Sequence, residues 1–166
     1  MAETLEDYIF NLSVEIDKEP NEHRRKGQHA ELLVAQMKYA EAIPLFEEAL
    51  QGITETMAKE AESNTRETSD ESTVGSINSL TSTASMWKSY HHNLMNSYVF
   101  ALDHVGDIDK TEEVYKTLLK TYPNGFFLGE YAVFLHRRKR DFINAQTYYQ
   151  QACKYHCTSL TLSYTP

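Results

Sequence analysis

The most reactive side chains of the sequence lie together at positions 153–157, which read Cys-Lys-Tyr-His-Cys. Two thiols one helical turn apart, with an imidazole beside them, are ligand types that zinc accepts. A structural zinc site needs four ligands, and no fourth ligand stands at a recognisable spacing elsewhere. Cysteine also packs as a small apolar residue in a helix. We therefore predict no metal site and no cofactor.

Sequence motifs for catalysis are missing as well. The chain contains no phosphate-binding GK[ST] loop, no GxGxxG, no GxSxG and no HExxH. We assign the neighbouring pair His91-His92 a solvated or capping role. The prediction is a protein without catalytic residues, and thus not an enzyme.

Composition limits the remaining classes. The 166 residues carry a net charge of -8 and are 41% hydrophobic, which is enough for a packed core. No apolar run reaches the length of a membrane helix, and the acidic start lacks the features of a secretory signal. We expect a soluble, cytoplasmic protein that does not bind membranes. Apart from two basic clusters, 24–26 and 137–140, the body of the chain is nearly neutral and its appendages are acidic. Because no basic face dominates, nucleic-acid binding is disfavoured.

The elements that must position any site are helices. Apolar residues recur at helical spacing through most of the chain, and we predict an all-α fold of paired antiparallel helices. A break near Met37–Tyr39 separates the first pair, Gly106-Asp107 ends another helix, and Pro123-Asn124-Gly125 stops the next. An amphipathic helix over 3–17 is expected to cap the fold, with partner docking as the alternative. Trp87 is expected to be buried.

Residues 63–85 form the clearest compositional break, because more than half of them are Ser or Thr and none is aromatic. Such a segment buries too little surface to offset its chain entropy. We predict a flexible acidic loop. Its run Thr68-Ser69-Asp70-Glu71 suits an acid-directed kinase, but an unmodified solvated loop is the favoured interpretation.

A pattern of one small, one aromatic and one further residue recurs in the second helix of each predicted pair. The last two occurrences are 34 residues apart, and the first two are separated by two such periods plus one residue. The three sets are Ala42, Phe46 and Ala49; Thr111, Tyr115 and Leu118; and Ala145, Tyr149 and Ala152.

This spacing resembles the tetratricopeptide repeat (TPR) family over residues 23–56 and 92–159. The resemblance implies a TPR-type α-solenoid of three stacked helix pairs. The third pair fits only if the turn His136–Asp141 holds one extra residue. The implied division is an N-terminal helix 1–19, repeats 20–62, 86–124 and 125–159, the insert 63–85 and a tail 160–166.

The resemblance also implies a concave groove lined by the first helix of each pair, which accepts a peptide or a helix of a partner. Asparagine amides there can hold the backbone of an extended ligand, and phenylalanines can supply apolar pockets. In the family's register the candidate partner-binding residues are Arg24, Gln28, Asn93, Asn96, Phe100, His104, Phe126, Glu130 and Arg137, and Glu31, Val34, Ser97 and Val133 also face the groove.

One TPR subclass is excluded by the same register. Co-chaperones with an Hsp90-type carboxylate clamp grip a terminal carboxylate with Lys, Asn and Arg side chains. The corresponding positions here are Gly27, Glu31, Ser97, Phe126 and Glu130, so no such clamp is predicted.

The preferred function is a non-enzymatic adaptor or scaffold that binds a protein or peptide ligand in the groove. The alternative is a structural TPR subunit that forms a homodimer or larger assembly through its last repeat, which no obvious amphipathic helix covers. A nucleic-acid binder that uses the two basic clusters is the least favoured.

Overall fold

The computed structural model describes the backbone of residues 5–66 and 74–162, and within these ranges it contains helices and no strand. The all-α prediction is therefore confirmed. The chain divides into two compact units, Met1–Val105 and Gly106–Pro166. The helices are α1 Leu5–Asp17, α2 Glu22–Ala35, α3 Tyr39–Arg66, α4 Val74–Val105, α5 Ile108–Thr121, α6 Gly125–Phe134 and α7 Phe142–Leu162, with a π-helical turn Leu135–Lys139 after α6.

In the first unit, α2 and α3 form an antiparallel hairpin. Asn21 caps α2, its side chain accepting a hydrogen bond from the Arg24 amide over 2.9 Å. Met37 then adopts a left-handed conformation with φ 61°, and α3 begins two residues later at Tyr39. The predicted break between these helices is confirmed.

Helix α4 packs antiparallel to α3 along a seam of aromatic and polar contacts. The rings of Phe46 and Tyr98 lie 5.8 Å apart, and the Tyr98 hydroxyl donates to Glu47 over 2.8 Å. Phe46 is fully buried, as are Leu94 and Leu102 on the facing helix. Trp87 is buried too, as predicted.

The second unit contains α5, α6 and α7. Helix α5 begins after Gly106 and Asp107, as predicted. Gly106 has a left-handed φ of 87°, and the Asp107 side chain caps α5 by accepting from the Lys110 amide. Asn124 caps α6 by accepting from the Phe127 amide over 2.9 Å. The boundary between the two units falls between α4 and α5, which are the two helices of the predicted second repeat.

The π-helical turn Leu135–Lys139 occupies the place where the repeat spacing required an extra residue. A π turn takes up one residue more than an α-helical turn, because its hydrogen bonds span five residues instead of four. Arg140 follows in the left-handed conformation, at φ 55°, and the Asp141 amide donates back to the Leu135 carbonyl over 3.0 Å. Ala132 and Leu135, before and at the start of this turn, are both buried.

The positions of the repeated pattern are core positions, with one exception. Eight of the nine side chains are buried, including the polar Thr111, whose hydroxyl donates to the Asp107 carbonyl over 2.6 Å. Tyr149 is 36% exposed, although its equivalents Phe46 and Tyr115 are buried. The same position in the pattern therefore meets different surroundings in α7.

Helices extend beyond the predicted limits at the Ser/Thr-rich insert 63–85. Helix α3 continues to Arg66 and α4 already begins at Val74, so both ends of the predicted loop are helical, and residues 67–73 lie outside the described residues. Likewise, α7 continues to Leu162. Extending an existing helix adds a hydrogen bond for each residue without a new nucleation cost, which offsets the low hydrophobicity of these segments.

The N-terminal helix α1 packs on α2 through its last turn. Ile16 is buried, and Asp17 Oδ1 lies 2.9 Å from His29 Nε2. Tyr8 and Phe10, further along α1, are exposed. The cap that was predicted for this helix thus covers the fold only in part.

Two helical glycines, Gly52 and Gly129, differ in the space that is available for a Cβ atom. A Cβ atom added to Gly52 would overlap the His23 ring, whereas one added to Gly129 would meet nothing within 4 Å. Alanine gains about 0.5–1 kcal/mol over glycine in a helix, and overpacking costs about 1–3 kcal/mol. We expect Gly129→Ala to raise the unfolding free energy and Gly52→Ala to lower it, as measured by urea denaturation. A gain at both positions would show that His23 moves aside freely.

Over the part of the chain that the structure describes, no helix combines the length and the apolar character needed to cross a membrane.

Candidate partner-binding site

Helix α4 carries four of the predicted partner-binding residues in one exposed row. We call the row of Asn93, Asn96, Phe100 and His104 the α4 stripe; all four are exposed. The spacing of three or four residues places them along one face of the helix. The opposite face of α4 is buried through Leu94, Tyr98 and Leu102. At 1.5 Å per residue the stripe is about 16 Å long, the length of about five residues of extended peptide.

The stripe ends in an exposed aromatic cluster. His104 stacks on Tyr39 with ring centroids 4.6 Å apart, and Phe100 lies 4.1 Å from His104 and 6.1 Å from Tyr39. The His104 ring is fixed by its Nδ1, which donates to the Phe100 carbonyl over 2.8 Å. Phe100 nevertheless remains 48% exposed, and Met37 beside Tyr39 in sequence is exposed too. An exposed aromatic group on a fixed support is typical of an anchor for a partner.

The other end of the stripe meets a cavity of 450 Å³ between α2 and α4. Asn93 lines this cavity together with Arg24, Met86, Trp87 and Tyr90. The buried Trp87 forms part of its wall, and the exposed Met86 forms part of its rim. An amide, a cation and apolar groups thus converge beside the first residue of the stripe.

The seam between α2 and α4 holds Arg24 and Gln28 in partly buried positions. The Tyr90 hydroxyl donates to the Arg24 carbonyl over 3.0 Å, and the Arg24 guanidinium lies 5.5 Å above the Tyr90 ring. Burial raises the pKa of Tyr90, with the nearby Glu31 carboxylate adding to the effect. The Gln28 side-chain oxygen is buried without a hydrogen bond in this part of the structure. Arg24 therefore contacts α4 at Tyr90 and borders the stripe at Asn93, whereas Gln28 lies one helical turn further along α2.

Glu31 and Ser97, also predicted to face the groove, form a hydrogen bond with each other. The Ser97 hydroxyl donates to Glu31 Oε1 over 3.1 Å. Burial raises the pKa of the Glu31 carboxyl, and this hydrogen bond offsets only part of that effect. Gly27, another clamp position, is buried against Tyr90 and Leu94. None of these three positions carries a cationic side chain.

Three predicted site residues belong to the second unit. Phe126 and Glu130 are exposed on α6, and Arg137 is exposed in the π-helical turn. Phe126 contacts the buried Phe127 edge to face at 5.4 Å. The α4 stripe belongs to the first compact unit, and the α6 residues belong to the second.

The two basic clusters differ in how far their charge is neutralised. In the first, Lys26 pairs with Glu22 at 2.8 Å and Glu48 at 3.1 Å, while Arg24 lies 3.8 Å from Glu19. In the second, Lys139 pairs with Glu112. Phosphate contacts would have to compete with these carboxylates.

Among residues whose side chains the structure describes, no group of three or more potential metal ligands comes together. Cys153 is exposed, and the predicted partners in its cluster, His156 and Cys157, lie outside the described side chains. His91 differs from the predicted solvated role: it is half-buried, and its Nε2 lies 3.4 Å from the Thr54 hydroxyl. Burial accordingly lowers the pKa of His91.

Two surface features escaped sequence reasoning. The first is Tyr39, which the pattern marked only as the start of a helix and which completes the aromatic cluster. The second is a groove of 660 Å³ along α7, whose lining includes His136, Phe142, Ala145, Tyr149, Gln150 and Cys153. We call it the α7 groove. Tyr149 occupies the aromatic position of the repeated pattern, which predicts a buried residue. Its exposure could therefore not be predicted from the sequence.

Comparison of the chain with protein-family models, curated proteins and solved structures gives no match.

Proposed function

We propose that the protein is a non-enzymatic interaction module that binds an extended peptide segment of a partner protein along the α4 stripe. The observation that carries the proposal is the stripe itself: two asparagines followed by an exposed phenylalanine that Tyr39 and His104 support. Asparagine amides both donate and accept, so they suit a peptide backbone, and the aromatic end suits an apolar side chain.

The repeated pattern supports the wider proposal of a TPR-type solenoid. Small residues Ala42 and Thr111 are fully buried, which allows neighbouring helices to approach closely. In such a solenoid the first helix of each pair, with the α4 stripe among them, would present its exposed residues to a ligand. A cytoplasmic adaptor or scaffold is the corresponding biological role.

Ion pairs within the two basic clusters favour a protein ligand over a nucleic acid. Lys26 and Lys139 both pair with carboxylates inside their own unit, and the chain as a whole carries a net charge of -8. The net negative charge would repel a phosphate backbone. The two lysines could bind phosphate only by giving up their carboxylate partners.

We expect Phe100→Ala to weaken peptide binding at least about tenfold, because a supported, half-exposed aromatic anchor typically contributes more than 1 kcal/mol. The probe is a peptide selected on the wild-type chain from a displayed random library, labelled for fluorescence anisotropy. Asn93→Ala with Asn96→Ala should weaken the same peptide by a smaller factor.

Tyr8→Ala is the matched control, since Tyr8 is an exposed aromatic residue on α1 of the same unit. Its affinity should stay within about twofold of wild type. Helicity and thermal midpoint are compared for each variant. Equal affinity of wild type and Phe100→Ala would remove the stripe as the binding site, and a library that yields no binder would count against peptide recognition.

A further inference from the structure

The α7 groove is an apolar surface bordered by positive charge. Phe142 and Tyr149 line it and remain exposed, and Ala145 forms its buried floor. Lys154 lies in its lining, and Arg137 and Arg140 are exposed in and beside the π-helical turn next to His136. Its volume of 660 Å³ is in the range that holds several side chains. An occupant of this groove should therefore be apolar along its centre and acidic at its edges.

Helix α1 has these properties. It contains four acidic residues and no basic one. Phe10 is 67% exposed, and Val14, one turn further along the same face, is also exposed. Glu6 precedes Phe10 by one turn and is exposed as well. Only the last turn of α1, at Ile16, is buried, so most of its apolar surface has no cover within its own unit.

We infer that α1 of one copy of the chain docks in the α7 groove of a second copy. Phe10 and Val14 enter the groove as anchors at positions i and i+4, the usual arrangement for a helix in an apolar groove. The exposed Glu6, one turn before Phe10, then faces the basic border. This charge complementarity, together with the exposed Phe10 and Val14 on the same face as Glu6, favours α1 as the occupant.

An interface between two different surfaces is heterologous, so a pair of copies joined by one contact keeps one free α1 and one free groove. Assembly therefore continues head to tail, into open chains or a closed ring. The groove and α1 are separate from the α4 stripe, so this assembly and the proposed peptide binding can fail independently.

Mixing two variants tests this arrangement directly. In light scattering, wild type should exceed the monomer mass of 19.2 kDa increasingly with concentration, and salt should reduce the effect. Phe10→Ala and Tyr149→Ala should each weaken association at least about tenfold. Phe10→Ala keeps an intact groove, and Tyr149→Ala keeps an intact α1. A mixture of both should therefore form dimers and nothing larger, because each pair has one intact α1 and one intact groove.

Cross-linking keeps the test decisive if Tyr149→Ala proves unstable. In a Cys157→Ser background, Val14→Cys should form a disulfide with Cys153 of a second copy when oxidised glutathione accepts the two electrons. A disulfide requires Cβ atoms about 3.5–4.5 Å apart, so it reports a seated helix. Gln51→Cys, exposed on α3, is the matched control in the same background.

Dimer-sized disulfide products that form faster with Val14→Cys than with Gln51→Cys would support the inference. Four results would overturn it: a concentration-independent monomer, association unaffected by Phe10→Ala, a variant mixture that does not form dimers, or a disulfide formed within one chain. A symmetric dimer through α7 alone would give the second of these results, because Phe10→Ala leaves α7 unchanged.

Discussion

Replacing Phe46 by alanine is expected to lower the free energy of unfolding by about 3–5 kcal/mol, the largest effect of any single substitution considered. Phe46 is 0% exposed and lies between α3 and α4, with the Tyr98 ring 5.8 Å away. Removing the ring leaves a cavity that the two helices cannot close without losing their other contacts. Urea denaturation followed by circular dichroism measures the change.

Tyr149→Ala is the matched control for Phe46→Ala, because it removes an aromatic ring from the same position of the pattern. Tyr149 is 36% exposed, so its loss should cost about 1–2 kcal/mol. Both are measured at a protein concentration low enough to keep the chain monomeric. If the two units unfold separately, each transition is fitted by itself. Equal losses at the two positions would contradict the difference in burial.

Glu112→Gln is expected to remove about 1–2 kcal/mol of stability at pH 7 and to flatten the dependence of stability on pH. Glu112 accepts hydrogen bonds from Lys116 at 2.8 Å, from Lys139 in the π-helical turn, and from the Tyr131 hydroxyl at 3.2 Å. Lys116 first, and then Lys139, lower the pKa of the Glu112 carboxyl to about 2. One carboxylate thus ties α5 to α6 and to the turn that follows it.

The sign of the pH effect follows from the depressed pKa. Above the ordinary value of 4.5 the carboxylate is charged in both the folded and the unfolded chain, and its full contribution is present. As pH falls from 4.5 towards 2, the unfolded chain takes up a proton first, and the contribution is lost. The shift alone corresponds to about 3 kcal/mol, and the smaller expected value reflects solvent screening at Lys116, which is 62% exposed.

Thermal and urea unfolding at pH 7, 5 and 3 checks this prediction. Wild type should lose more stability than Glu112→Gln between pH 5 and pH 3, so the difference between them should shrink. Glu113→Gln, at the exposed neighbouring position, should follow the wild-type curve within about 0.5 kcal/mol. Parallel stability curves for wild type and Glu112→Gln would show that the stabilisation from its three contacts does not depend on the charge of Glu112.

Helix limits that depend on neighbours in sequence were predictable. A proline before Asn124 stops one helix, and the Asn124 side chain starts the next by accepting from an amide three residues on. Gly106 suits the left-handed turn before Asp107 for the same local reason. The small and aromatic residues of the repeated pattern likewise identified the buried faces of α3 and α5, because helical spacing alone places them on one side.

Segments with weak local signals were predicted less well. The Ser/Thr-rich ends of the insert 63–85 are helical because they extend α3 and α4. The composition of a segment does not show whether it continues the hydrogen bonding of a neighbouring helix. The extra residue near His136 was evident as a mismatch in spacing. Its form, a π-helical turn fixed by Arg140 and by the Lys139–Glu112 pair, depends on residues from another helix.

The sequence by itself determined that the chain is helical, where most helices begin and end, and which residues lie on the exposed face of α4. The tertiary structure decided which of those residues form a site. Tyr39 lies far from Phe100 and His104 in sequence, and only the antiparallel packing of α3 on α4 brings the three rings together. Tyr149 has the same place in the pattern as Phe46, yet nothing in its unit covers it fully. Local propensity acts over a few residues, whereas burial depends on what the rest of the chain brings alongside, and that is the physical reason for the division.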